Sequence, residues 1–246
     1  MKELRYDPLN IIVCGIGGQG NVLASEIVAS TMNDLGYRVA VGETYGASQR
    51  GGSVMSHVRV SKEDDLGVLI PSGEAHIIIG FEPLETLRMA RQYAGPNTMI
   101  VYDPRPIYPL GVLQGNQSYP SVDEINAEIN AITSEAHAIC AADIALEIGD
   151  TKAANVVLLG AFSRLPGAPL NTKELSAILS QRFSGTQWSA ERPLPTPVSL
   201  TSQSHHEKPP EVTCTSRGTP GCPASTRERP RETFFNTSRG QIPLLP

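Results

Sequence analysis

The chain has 246 residues, a formal net charge of −5 and a mean hydropathy of −0.15, enough for one large or two small domains. Charge and proline are unevenly spread: residues 1–184 hold 13 Lys+Arg against 20 Asp+Glu, whereas residues 185–246 hold 7 against 5 and 10 of the 20 prolines. An acidic globule without clustered Lys and Arg argues against a nucleic-acid binder, and no apolar run reaches the length of a membrane span.

The first element is the short apolar run from Asn10 to Cys14, read as a buried parallel strand. A glycine-rich turn follows at once: Gly15-Ile16-Gly17-Gly18-Gln19-Gly20. Residues 21–35 then place Val22, Leu23, Ile27, Val28 and Leu35 at helical spacing, and Gly36 stops that helix. Tyr37 to Val41 reads as a second strand, so that strand, helix and strand form a parallel crossover unit. The turn has the GxGxxG spacing. Its first glycine permits a tight bend, the next a close approach to the backbone, and the last packing of helix on strand. The helix start offers N–H groups to an anion. A bare strand–helix turn without a ligand satisfies the same spacing. A nicotinamide or flavin dinucleotide reading needs an acid at the end of the second strand, and Glu43 is the candidate, 28 residues after Gly15.

A polar loop comes next, Glu43-Thr44-Tyr45-Gly46-Ala47-Ser48-Gln49-Arg50-Gly51-Gly52. Its glycines leave backbone uncovered. Arg50 can offer a planar fork to a carboxylate or phosphate, and Tyr45, Ser48 and Gln49 add hydrogen-bonding groups. Val54 to Val60 alternates as a strand, with His57 and Arg59 on one face, open to an anionic cofactor or partner or simply to solvent. His76 to Ile79 reads as a strand feeding a helix from Pro83 to Tyr93, and Thr98 to Tyr102 as another strand with Asp103 at its carboxyl end. Residues 104–120 read as a Pro- and Gly-rich turn or short hairpin. Helices are expected at 121–131, 141–148, 152–164 and 172–182. This alternation predicts an α/β fold: a Rossmann-like, mainly parallel sheet flanked by helices. From Gly185 the periodicity ends, and the Pro/Ser/Thr/Arg-rich tail of residues 185–246 is expected to be disordered.

The four cysteines, Cys14, Cys140, Cys214 and Cys222, include no CxxC pair, so neither zinc nor an iron–sulfur cluster is expected. The N-terminus lacks a signal-peptide hydrophobic region, and a cytoplasmic location is the default expectation.

Taken together, Gly15-Ile16-Gly17-Gly18-Gln19-Gly20, Glu43-Thr44-Tyr45-Gly46, Gln49-Arg50-Gly51-Gly52, Ser56-His57-Val58-Arg59 and Asn155-Val156-Val157-Leu158-Leu159-Gly160-Ala161 resemble the gamma-type subunit family of 2-oxoacid:ferredoxin oxidoreductases. The likeness is closest to the indolepyruvate branch, whose small chain is called the beta subunit. It spans roughly residues 8–184, which the resemblance marks as a gamma-type domain over 1–184. It implies a complete enzyme that oxidatively decarboxylates an aryl-2-oxoacid to its acyl-CoA and passes electrons to ferredoxin. It further implies that thiamine diphosphate and the iron–sulfur clusters sit on a large alpha subunit, and that this chain binds no cofactor alone. Gly15, Gly17, Gly18, Gln19 and Gly20, with Tyr45, Gly46, Ser48, Gln49, Arg50, Gly51 and Gly52, would then face the partner or coenzyme A; no catalytic residue is assigned. The family pattern departs after about Gly185. Two other readings stay open on the residues alone: a stand-alone NAD(P)- or FAD-dependent enzyme, and a non-enzymatic interaction module using the Arg50 loop and the tail.

Overall fold

The computed structural model describes residues 3–45, 52–63, 66–133, 135–150 and 153–182. All the elements below fall in the compact unit Met1–Thr201; the second unit, Ser202–Pro246, lies outside the described residues, as does the expected disorder of the tail.

The elements run β1 (Leu9–Ile16), α1 (Asn21–Asp34), β2 (Arg38–Tyr45), β3 (Ser53–Ser61), β4 (Ala75–Gly80), α2 (Pro83–Tyr93), β5 (Ala94–Tyr102), α3 (Leu110–Leu113), α4 (Val122–Ile132), β6 (Ala136–Ala138), α5 (Ala141–Glu147), α6 (Ala154–Phe162) and α7 (Thr172–Arg182). Six strands form one sheet in the order β2-β3-β1-β4-β5-β6. The pairs β1–β4, β4–β5 and β5–β6 are parallel, and only β3 runs against the rest. The α/β class and the mainly parallel sheet are as the alternation predicts.

Strand periodicity of two gives the central strands two buried faces. Ile11, Val13, Ile77, Ile79 and Val101 share one core with Ile27 and Val28 of α1, Leu158 and Phe162 of α6, and Leu175 and Leu179 of α7. Ile12, Cys14, Ile78, Ile100 and Tyr102 join a second core with Leu87 and Ala90 of α2 and Ile125 and Ile129 of α4. Ile11, Ile12, Ile77, Ile78 and Ile79 are fully buried, each worth about 1.5–3 kcal/mol relative to exposure.

Four details differ from the sequence reading. First, β2 is not the neighbour of β1: antiparallel β3 lies between them, pairing Gly15 with Val54 on one side and Tyr45 with Val54 on the other. Burial explains the order. Val58 and Val60 are fully buried and demand a central strand, whereas Arg38, Val41 and Glu43 are exposed and suit an edge. Second, His57 is buried and Arg59 half-buried, and both are engaged by the chain's own backbone and Asn10. Arg59 Nη1 donates to the carbonyls of Gly67 (2.9 Å) and Leu69 (3.3 Å), its Nε donates to Asn10 Oδ1, and His57 Nδ1 accepts from Ile70 N–H at 3.2 Å. Together they strap the segment around residues 67–70 across the sheet. Third, residues 104–120 contain the helical turn α3 rather than a hairpin, with Pro109 O accepting from Val112 and Leu113 N–H. Fourth, the three-residue β6 is too short to leave a periodic signature.

His76 plays a part like that of His57: its Nδ1 accepts from Asn10 N–H at 3.0 Å while its ring stacks on Tyr6. An imidazole nitrogen that accepts must be unprotonated. Burial holds both histidines below their ordinary value of 6.5, with the Arg59 charge adding to the effect on His57. At these two groups the folded state therefore binds fewer protons than the unfolded state just below that value, and their contribution to stability is lost as the pH drops. We expect urea midpoints to decline from neutral pH to about one unit below the ordinary histidine value, and the His57→Gln/His76→Gln variant, which keeps neutral acceptors, to show a clearly shallower decline.

Candidate functional site

The carboxyl ends of β1, β4 and β5 form one edge of the sheet, where open α/β sheets hold their ligands. A staircase of backbone bonds aligns the strand exits. Phe81 N–H donates to Cys14 O (2.8 Å), Asp103 N–H to Gly80 O (2.9 Å) and Ile139 N–H to Tyr102 O (2.8 Å).

Within Gly15–Gly20 the glycines do different work. A Cβ on Gly15 would lie 2.7 Å from Gln19 Oε1, 2.8 Å from Phe81 Cβ and 2.9 Å from Asn21 Oδ1. Gly15 therefore makes room for the chain's own side chains. Gly20, at φ 85°, is the N-cap of α1, and a Cβ there would meet Asn155 Nδ2 at 2.7 Å. Gly17 N–H donates to Gly52 O at 2.9 Å. Gly18, at φ 103°, has nothing within 4 Å of where a Cβ would lie, so the turn has open space before it there.

Gln19 fills the interior of the turn. Its Oε1 accepts from Ile16 N–H at 2.7 Å and its Nε2 donates to Phe81 O at 2.7 Å, so one amide ties the exit of β1 to the exit of β4. Asn21 Nδ2 donates to Ile16 O (3.1 Å), and its Oδ1 is buried without a partner. The N-cap of α1, Gly20, makes no side-chain hydrogen bond to the helix.

The second segment adjoins the first. β1, β3 and β2 line up Gly15, Val54 and Tyr45, and the Gly17–Gly52 bond extends that pairing beyond the strands. Tyr45 therefore ends β2 at the same edge at which Gly52 leads into β3. Gly46, Ser48, Gln49, Arg50 and Gly51 lie outside the described residues, as does the side chain of Tyr45.

The placement of β3 bears on the dinucleotide reading. Glu43 is aligned with Ser56, which is aligned with Val13, so it stands two strands from β1, about 10 Å away at the usual strand spacing. A ribose-binding acid is needed on the strand next to the glycine turn. With Gln19 inside the turn and Glu43 displaced, the geometry does not support a nicotinamide or flavin dinucleotide site.

Sequence reasoning missed Glu82. It is the N-cap of α2, 1 % exposed: Oε2 accepts from Glu85 N–H (2.8 Å), while Oε1 accepts from the Tyr119 hydroxyl and, at a long 3.4 Å, from Ile107 N–H. Burial raises its carboxyl above the ordinary range, against the lowering effect of these donors. Proline at the first helical position, Pro83, was the available signal for a cap here. Asp103 caps rather than binds: Oδ1 accepts from Arg105 N–H and Oδ2 from Ala142 N–H, both at 2.9 Å. Asn155 is buried, its Oδ1 accepting from Val156 N–H. Cys14 is buried in β1 with its thiol pushed up by burial and by Glu85. Cys140, exposed at the start of α5, is raised by partial burial and by Asp143 and Asp103. Both are therefore poor thiolates. Among the described residues no three His, Cys, Asp or Glu side chains gather as a metal would need, and no helix is long and apolar enough to cross a membrane.

The family model described as pyruvate ferredoxin/flavodoxin oxidoreductase matches residues 10–192. The chain belongs to that family. Among relatives of this oxidoreductase family, indolepyruvate oxidoreductase subunit IorB of Thermococcus kodakarensis is 37% identical over 171 residues, covering 69% of this chain and 84% of the relative. IorB of Archaeoglobus fulgidus is 41% identical over 152 residues, covering 62% and 74%. A solved structure of 2-oxoglutarate:ferredoxin oxidoreductase from Magnetococcus marinus, with 2-oxoglutarate, coenzyme A and succinyl-CoA bound, superimposes with a TM-score of 0.55 at 26% identity. That match covers 73% of this chain but 28% of the other, so this chain spans under a third of that polypeptide. Pyruvate oxidoreductase subunit PORC of Thermotoga maritima, at 17% identity and a TM-score of 0.52 over 72% of this chain and 86% of that one, shares the fold.

The division of labour among the glycines is testable. Gly18→Ala should cost about 1–2 kcal/mol from the left-handed backbone alone. Gly20→Ala adds overpacking against Asn155, a further ~1–3 kcal/mol, and Asn155→Ala in the same chain should return part of that loss. Denaturant unfolding of the three variants measures each term. Equal losses for Gly18→Ala and Gly20→Ala would contradict the internal role of Gly20.

Proposed function

We propose that the chain is the small subunit of a 2-oxoacid:ferredoxin oxidoreductase that acts on arylpyruvates, indolepyruvate among them, forming aryl-acetyl-CoA and reducing ferredoxin. The observation that carries this reading is the 37% identity to an indolepyruvate oxidoreductase subunit across 84% of that subunit's length. The geometry agrees with it. A glycine turn already filled by its own Gln19 is a poor nucleotide cradle, yet it leaves Gly18 exposed.

In this reading a large alpha subunit holds thiamine diphosphate and the iron–sulfur clusters. The chain's four cysteines include no CxxC pair, the short spacing that a cluster's thiolates take. Thiamine diphosphate supplies the decarboxylation chemistry, the clusters pass electrons to ferredoxin, and coenzyme A accepts the acyl group. This chain's residues shape the approach: Gly15, Gln19 and Gly20 fix the turn, and Gly17 and Gly18 present it. Tyr45, Gly46, Ser48, Gln49, Arg50, Gly51 and Gly52 meet the partner or the anionic groups of coenzyme A. The functional domain is residues 1–184, residues 185–246 are an appended tail, and the enzyme works in the cytoplasm.

Co-production with the large subunit should give a stable complex that reduces ferredoxin with coenzyme A and arylpyruvates, and neither chain alone should do so. A small chain that elutes by itself beside its partner would contradict the proposal. Within the complex, Arg50→Lys keeps the charge but loses the planar fork. We expect turnover to fall by about tenfold, the worth of one charge-assisted hydrogen bond, at unchanged melting temperature; unaltered turnover would remove Arg50 from any anion contact.

A further inference from the structure

The excursion between β5 and α4 stands out by its charge. From Pro106 to Val122 no residue is ionisable as an acid or base of the Asp, Glu, Lys, Arg or His type, in a chain whose net charge is −5. Three of the large apolar side chains it carries are exposed: Ile107 at 42%, Tyr108 at 47% and Leu113 at 69%. A solvated loop in an acidic protein has no reason to shed charge and keep exposed Ile, Tyr and Leu. Interface cores have that composition, depleted in charged residues and rich in aromatic and large apolar side chains.

The excursion is also held in shape. Glu82, buried at the start of α2, accepts from Ile107 N–H near one end and from the Tyr119 hydroxyl near the other. Tyr108 meets Tyr119 edge to face at 5.1 Å, and Pro109 O anchors the turn α3. Pro106, Pro109 and Pro120 restrict the backbone further. Such an element loses little entropy on docking, which is what preorganisation requires.

Its position indicates what covers it. The excursion leaves the carboxyl end of β5, and Glu82 follows the carboxyl end of β4, the strand that Gln19 ties to the glycine turn. It therefore shares the sheet edge that the proposed function assigns to the partner. In the solved relative from Magnetococcus marinus, this fold is embedded in a polypeptide of which it accounts for 28%, so there the fold is built into a much larger body. We propose that the Glu82-anchored excursion, through Ile107, Tyr108 and Leu113, is a docking element that seats in an uncharged apolar recess of the large subunit. This rests on the reading of the chain as a small subunit.

The test measures the dissociation constant between the full-length chain and the large subunit. Leu113→Asp and Tyr108→Ser should each weaken binding by about tenfold or more, as loss of an interface anchor does. The melting temperature should be unchanged for Leu113→Asp, whose side chain is the most exposed of the three, and slightly lowered for Tyr108→Ser, which also loses the ring contact with Tyr119. Ile107→Ser gives a second reading of the same surface should either variant melt early. Leu146→Asp, a change at an exposed leucine on α5, should leave the constant within about twofold. If wild-type chains bind and the three excursion variants also stay within about twofold, the docking element is refuted while the small-subunit reading stands. Equal weakening by Leu146→Asp also refutes it, since the effect would then be general. If the wild-type chains do not bind each other, both readings fall together.

Discussion

The organising constraint of this molecule is the antiparallel pairing of β3 with β1. It runs from Leu9 opposite Val60 to Ile16 opposite Ser53, and the Gly17–Gly52 hydrogen bond carries it one step further. Because β3 enters beside the exit of β1, the connection from β2 has to begin and end next to the glycine turn. Two segments thirty residues apart in sequence are thereby brought to one edge by main-chain bonds alone. The same pairing displaces β2 and with it Glu43, so the arrangement that makes a dinucleotide site in other folds is not reproduced.

The turn itself is largely satisfied from within. Gln19 supplies both the acceptor for Ile16 N–H and the donor for Phe81 O, and Gly15 has no room for a side chain because Gln19, Phe81 and Asn21 occupy the space. What remains outward among the described residues of the turn is Gly18. The described residues of the turn offer backbone there and no cationic side chain. That fits a subunit whose chemistry is completed elsewhere.

Much of the fold was legible because it is written in local patterns. The runs Asn10–Cys14, His76–Ile79 and Thr98–Tyr102 are apolar on both faces, and the helices α1, α2, α4 and α7 carry glycine stops, proline starts or capping residues. The insertion of β3 was not legible. Alternation reveals that a segment is a strand but not which strand lies beside it, and sequence neighbours here are separated by a later element. His57 and Arg59 were misread for the same reason. Their partners, Ile70, Gly67 and Leu69, belong to a segment with no periodicity that folds back over the sheet. Glu82 illustrates the limit at the site: Pro83 marks a helix start, but nothing local says that its cap also holds Ile107 and Tyr119, up to 37 residues away.

The most direct measurement is hydrogen–deuterium exchange of the full-length chain, free and assembled with the large subunit. The Gly17 amide, bonded to Gly52 O, should be protected in both states. The Gly18 amide should exchange quickly in the free chain and slowly in the complex, and the amides from Ile107 to Leu113, of which Ile107, Val112 and Leu113 are already hydrogen-bonded, should gain further protection in the complex. Protection that instead accrues at the opposite edge of the sheet, around Leu9 and Ala75, with Gly18 unchanged, would contradict the account.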